Sequence, residues 1–317
     1  MNVLRVLAAL AMLSILQSSI AVSAREPVAK VVTYPSQLSE TFDSPTMSEL
    51  QFRPRPLSRQ KSGIVQRISL TGTWIDGGGA NDVGLTDVEI YGTFGFPLPT
   101  PSSPLLVTPG YQCCFFNGPT STDLPARVHD AYLGVRWLHQ CSDSWGMDLA
   151  VSPGVHTDFD RWDSDAFRIT GHAVGKYEWT PWLDLIVGAA YLDRQDISVL
   201  PVMGLVYRSS DCVRHELIFP RPKFSWRLAR GPSWEDWFYV AGEFGGGSWS
   251  VTRTNFAQDV LTMREIRLNL GLERQRDGGG YTRIELGWVL GRRVEFESGI
   301  GDFEPKDSVL IRSGWSY

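Results

Sequence analysis

The sequence predicts an all-β fold: a closed antiparallel up-and-down transmembrane β-barrel of about 12 strands, within a range of roughly 10 to 14. Three observations lead there. The chain opens on an export signal, its body consists of alternating segments long enough to cross a bilayer, and it ends on an aromatic strand.

At the N-terminus, Arg5 precedes an apolar run from Val6 to Ile15, and the small residues Ala21, Val22, Ser23 and Ala24 follow. This is the pattern of a signal peptide, residues 1–24, with cleavage expected after Ala24. The run is too short for a spanning helix, which needs about 20 residues, and no later segment approaches that length. No cysteine lies near the cleavage point to take an acyl chain. Loss of Arg5 takes the formal charge from −5 to −6, and an acidic balance argues against a nucleic-acid partner. Residues 25–62 carry Pro27, Pro35, Pro45, Pro54 and Pro56 without sustained periodicity and read as a flexible periplasmic extension.

Residues 63–317 form the expected barrel. Phe167, Ile169, Gly171, Ala173, Gly175, Tyr177 and Trp179 alternate with Arg168, Thr170, His172, Val174, Lys176 and Glu178, so one face is apolar and the other mostly charged. The apolar set resumes after Thr180 and Pro181 at Leu183, Leu185, Val187, Ala189 and Tyr191. Val88, Ile90, Gly92, Phe94 and Phe96 repeat the scheme, as do Ala131, Leu133, Val135 and Trp137. A tilted membrane strand needs about 9 to 11 residues, and these segments reach it. Closure follows from the backbone, because an open edge in lipid leaves polar groups unpaired at several kcal/mol each.

The segment Thr262 to Arg293 predicts a hairpin residue by residue. A turn at Asp277, Gly278 and Gly279 pairs Arg276 with Gly280. Leu272 then faces Ile284, Leu270 faces Leu286, Leu268 faces Trp288 and Ile266 faces Leu290; the opposite face sets Glu273 against Arg283 and Gly271 against Glu285. A second turn is expected around Phe219 to Lys223, where Pro220 and Pro222 interrupt the pattern, with Phe224 and Trp226 on one face.

The last strand alternates Val309, Ile311, Ser313, Trp315 and Tyr317, and Tyr317 ends the chain. It resembles the terminal strand by which outer-membrane barrels are recognised by the barrel-assembly machinery, with Ser313 where that pattern prefers an apolar residue. Tyr317 then belongs on the periplasmic side, which makes the Glu295 to Lys306 loop extracellular. Ser103 to Gly110, SPLLVTPG, and Glu216 to Leu228, ELIFPRPKFSWRL, resemble an uncharacterised bacterial outer-membrane barrel family, domain of unknown function 6268. The resemblance runs from about Val65 to Tyr317 and implies architecture and outer-membrane location, with no activity to carry over.

The four cysteines, Cys113, Cys114, Cys141 and Cys212, lie in the exported part. A bond between adjacent Cys113 and Cys114 would be strained, so Cys113 or Cys114 with Cys141 is the expected pair. The cysteines show no C-x-x-C spacing and the five His are scattered, so no metal site or other cofactor is expected. His215-Glu216 begins like H-E-x-x-H, yet the fifth residue is Phe219. Asp211 and His215 are the sole hint of a rim hydrolase, and charged side chains pointing into a solvated lumen explain them more simply. No enzyme is expected.

Two readings follow. In one, Arg168, His172, Lys176, Glu273, Arg283 and Glu285 line or plug the lumen of a passive pore or envelope component, with outer-membrane lipid outside and small solutes within. In the other, a secreted or periplasmic β-rich binding protein or enzyme buries the apolar faces in a core. Twelve Trp and 31 Gly suit either one.

Overall fold

Alternation at period two is what turns this chain into strands whose neighbours differ in polarity from face to face, and the computed structural model shows where each face points. It describes residues 63–78, 82–100, 103–118, 122–161, 163–194 and 197–317. The expected signal peptide and the extension to residue 62 lie outside these described residues.

The strands are β1 (Val65–Ile75), β2 (Gly84–Thr100), β3 (Ser103–Asn117), β4 (Arg127–Gln140), β5 (Trp145–Thr157), β6 (Phe167–Thr180), β7 (Leu183–Tyr191) and β8 (Val199–Ser210). There follow β9 (Val213–Phe219), β10 (Lys223–Arg230), β11 (Trp234–Gly245), β12 (Ser248–Thr252), β13 (Gln258–Arg276), β14 (Tyr281–Phe296) and β15 (Ser308–Ser316). Each pairs antiparallel with the next from β1 to β11; β11 then pairs with β13, and β15 returns to β1. The closed ring has 14 strands, the upper end of the expected range, with β12 as an extra inner piece. Closure is tied at the last residue, where Tyr317 N donates to Ile68 O at 2.9 Å and Tyr317 O accepts from Ile68 N at 3.1 Å.

Apart from the turns at 220–222 and 253–257, which face the loop end, the connections sort by length. Turns at 141–144, 181–182, 211–212, 231–233 and 277–280 sit at one end with Tyr317; the connections 76–83, 118–126, 158–166, 192–198 and 297–307 sit at the other. The β13–β14 hairpin has the expected register throughout: Leu272↔Ile284, Leu270↔Leu286, Leu268↔Trp288, Ile266↔Leu290, Glu273↔Arg283 and Gly271↔Glu285. Arg276 N reaches Gly280 O at 2.8 Å across the turn. Leu270 is 37% and Leu286 50% exposed, while Glu285 is 5%. The apolar face is therefore outside and the charged face inside, the reverse of a soluble β protein. Phe219 and Lys223 do flank a turn, and Phe224 and Trp226 share the outer face as stacked rings.

β12 changes the shape of one end. β11 and β12 form one run broken at Gly246 and Gly247, both halves pairing with β13. Gly246 has φ of 98°, and a Cβ there would lie 2.1 Å from Met263 O, so only glycine fits the bend. The bend carries β12 inward across the mouth until Ser250 bridges Thr157 of β5. At the loop end the sheet thus closes a second, smaller ring of nine strands, β12-β13-β14-β15-β1-β2-β3-β4-β5. Its interior is a dry cluster that includes Ile75, Leu85, Val128, Trp249, Leu261 and Phe296.

The expected disulfide does not form: all four cysteines are free thiols. Cys114 lies opposite Val128 near the loop end of β4, whereas Cys141 sits in the turn after β4 at the other end. At about 3.3 Å per residue, the intervening length of β4 separates them by roughly 40 Å, beyond any S–S bond.

Candidate functional site: the lumen

Inward positions of β1 to β6 and the upper part of β11 enclose a cavity of about 250 Å³, reached also by Leu192, Arg194, Leu200, Pro220 and Arg221. Its walls are built by parity. Thr71, Glu89, Gln112, Asp130 and His156 are successive partners across five adjacent strands, of which Thr71, Glu89 and Gln112 lie on β1 to β3. One level therefore carries a continuous row of polar side chains.

Burial of these charges is offset by specific partners. Asp130 Oδ1 takes His156 Nδ1 at 2.6 Å and Trp249 Nε1 at 2.7 Å. Glu89 accepts from Tyr132 Oη at 2.8 Å. Arg136 and Asp148 form a two-pronged ion pair, with His172 Nε2 3.2 Å from the same carboxylate. Arg312 spans three strands by donating to Glu285 at 2.9 Å, to Glu243 at 2.6 Å and to Thr73 at 3.2 Å. Arg267 donates to Glu265 at 2.7 Å.

Toward the short-turn end paired side chains reach into the lumen. Arg67 lies over the rings of Tyr91 and Tyr281 and bonds the Tyr281 hydroxyl, and Tyr239 bonds Glu285. Lys176 contacts Glu178 at 2.8 Å and Asp184 at 3.4 Å, and Lys223 reaches Glu273 at 3.4 Å. Toward the loops, β12 and the dry cluster close the nine-stranded ring.

Of the residues singled out from sequence, Arg168 and His172 line the cavity. Lys176, Glu273 and Glu285 are buried inside the barrel below it, and Arg283 lies opposite Glu273. His215 departs from expectation. It is on the outer face of β9 among Tyr207, Phe224 and Trp226, because its parity matches Leu217 and Phe219. Asp211 is in the turn before it, so the two do not converge in the lumen.

Sequence reasoning missed Arg136, Asp148, Glu243, Arg267, Arg312 and the Asp130–His156–Trp249 cluster. Parity would have put most of them inside, and Arg136–Asp148 and Asp130–His156 join the adjacent strands β4 and β5; the contacts of Arg312 with Glu243 and of Trp249 with Asp130 cross non-adjacent strands and leave no local trace. The Asp130–His156 contact has the look of an oriented general base. Trp249 donates to the same carboxylate oxygen, which ties the pair to β12. Among the described residues no group of His, Cys, Asp or Glu is arranged to hold a metal ion.

No protein-family model and no curated protein matches the chain. Among solved structures, the KdgM porin aligns at TM-score 0.36 and 9% identity, covering 79% of this chain and 98% of that one. An outer membrane channel from Pseudomonas putida F1 aligns at TM-score 0.43 and 10% identity, covering 84% and 100%. LpxR from Salmonella typhimurium aligns at TM-score 0.37 and 10% identity, covering 78% and 99%. At such identities and scores, none of these likenesses assigns a family or an activity.

Proposed function

We propose that the chain is an integral outer-membrane barrel whose lumen serves as a pore of unassigned specificity, held shut at the loop end by β12. The observation that carries this reading is the inverted polarity of a closed antiparallel ring, with Leu and Trp outside and ion pairs within. Only lipid makes an outer surface of that kind favourable, because closure satisfies the backbone while the apolar side chains need no partner. The same reading places Tyr317 and the short turns in the periplasm and the long connections outside the cell. It includes cleavage after Ala24 and recognition of the terminal strand by the assembly machinery. The resemblance to domain of unknown function 6268 belongs here too, as a statement about architecture.

The test is physical behaviour. The protein should need detergent for extraction, migrate differently on gels before and after heating, and resist protease in vesicles. Release by osmotic shock, or an unheated band identical to the heated one, would return the chain to the soluble alternative.

A further inference from the structure

The wall of the barrel dips on one side. β9 has 7 residues and β10 has 8, against 12 for each of their outer neighbours, β8 and β11. At about 3.3 Å per residue and a tilt near 40°, β9 rises roughly 18 Å, less than the apolar band of about 25 Å that a membrane barrel presents. The β8–β9 ladder stops at Met203↔Phe219 and the β10–β11 ladder at Lys223↔Ala241. Above the 220–222 turn, Val199–Val202 of β8 and Glu243–Gly245 of β11 have no strand between them among the described residues. Backbone edges at membrane depth are tolerated only where protein or water covers them, and a wall lower than the bilayer is relieved by local thinning or by association.

The outer face of this low wall carries a connected group of rings. Tyr207, His215 and Phe224 are successive cross-strand partners on β8, β9 and β10, in one register row with Leu183 and Val240. The His215 ring lies 6.3 Å from Tyr207, 5.3 Å from Phe224 and 5.4 Å from Trp226; Trp226 stacks on Phe238 at 6.0 Å, and Trp182 meets Tyr207 edge to face at 5.7 Å. Phe224 and Trp226 are exposed on the single chain. In the middle of the group, His215 Nδ1 is buried and has no hydrogen-bond partner. Lipid tails offer it none. A second set of the same side chains does, because the Tyr207 hydroxyl can donate or accept and the Trp226 indole N–H can donate.

We propose that the outer face of β7 to β11 is where two copies of this chain associate side by side in the bilayer, with His215, Phe224 and Trp226 at the centre of the contact. The proposal rests on the membrane-barrel reading. Both copies insert in one orientation, so the two-fold axis runs along the membrane normal and each patch meets itself. Low wall then faces low wall. The bare edges of β8 and β11 turn from lipid toward the second copy, and both copies are relieved of the same mismatch at once. Five strands about 4.8 Å apart, over a height of about 20 to 25 Å, give roughly 500 to 600 Å² on each copy and about 1,000 to 1,200 Å² together, which reaches the ~1,000 Å² that a specific interface needs. Aromatic side chains at the centre of such a patch are the ones that carry most of the binding.

The first measurement is sedimentation equilibrium of the full wild-type chain in density-matched detergent, where the protein mass should be that of two chains. Phe224→Ala with Trp226→Ala should raise the dissociation constant at least tenfold, about the loss expected for removing central aromatic anchors, and keep the heat-shifted band of a folded barrel. The second measurement locates the face. With the four natural cysteines replaced by serine, His215→Cys should give a cross-linked pair on oxidation in phosphatidylcholine vesicles, whereas Leu286→Cys, on the outer face of β14, should not. A mass of one chain or of three, association untouched by the double alanine variant, or equal cross-linking from both positions overturns the proposal. If either the alanine or the cysteine variants do not assemble, the other set decides with the wild-type mass. A wild-type chain that fails to insert refutes the membrane reading itself, whereas insertion as a single chain refutes only the association.

Discussion

Arg253, at the tip of β12, shows how single residues hold the mouth. Its guanidinium donates to Asp123 at 2.8 Å, to Asp259 at 3.2 Å and to Ile300 O at 2.9 Å, joining three connections of the loop end. Asp123 also accepts from Thr254 N at 3.1 Å. Partial burial works against its charged form, but the Arg253 and Thr254 hydrogen bonds outweigh that and hold its carboxyl below the ordinary value of 3.8. A carboxylate depressed in this way contributes its full stabilisation above the ordinary value and loses it as pH falls through the lower folded value. The tip should therefore stay docked at neutral and mildly acidic pH and loosen only below about pH 4. Amide exchange at Thr254, followed against pH, checks this. Asp123→Asn should give fast exchange at neutral pH; unchanged protection would show that the anchor is elsewhere. The facing of residues was legible at this scale, since Leu270, Leu286, Glu273 and Glu285 follow from parity. Their partners were not, because Arg312 meets Glu243 across two intervening strands.

Among elements, β13–β14 was fully legible and β12 was not. The hairpin is local: a glycine turn fixes the register, and two faces of opposite polarity agree with it. Leu270→Arg should therefore abolish assembly at a cost of about 2 to 4 kcal/mol near the midplane, read as loss of the heat-shifted band. Arg283→Leu keeps the outer face and should assemble. β12 depends instead on where a continuous run bends, and only the ring as a whole reveals that the bend points inward. Gly246→Ala would force a Cβ onto Met263 O in a left-handed conformation, with a cost of order 1 to 3 kcal/mol. It should undock β12 without unmaking the barrel. The readout is a red shift of Trp249 emission in a variant that still shows heat-modifiable migration, and an unshifted spectrum would mean that the bend tolerates a side chain.

For the molecule as a whole, strand length and the terminal aromatic announced a barrel, while the count of 14 and the nested ring of nine are set by long-range pairing that leaves no local pattern. Closure depends on which strands meet, and β5 meets β12 through one bridge, Ser250↔Thr157. That seam is reinforced by two contacts to carboxylates: Trp249 Nε1 to Asp130 at 2.7 Å and Thr252 N to Asp158 at 2.6 Å. Hydrogen bonds to charged groups contribute about 1.5 to 3 kcal/mol each, so losing both should favour the undocked state by roughly 3 to 6 kcal/mol. This is a factor of about one hundred to ten thousand in the docked-to-undocked ratio. The wild-type chain in a planar bilayer should accordingly show little or no step conductance. Trp249→Phe with Asp158→Ala removes both donor–acceptor pairs but keeps an aromatic ring in the dry cluster, and it should show frequent, resolvable openings. Each single variant should fall between. If the double variant inserts and stays silent, β12 is not what closes the lumen, and the obstruction lies among the side chains around Arg67, Tyr281, Tyr239 and Glu285.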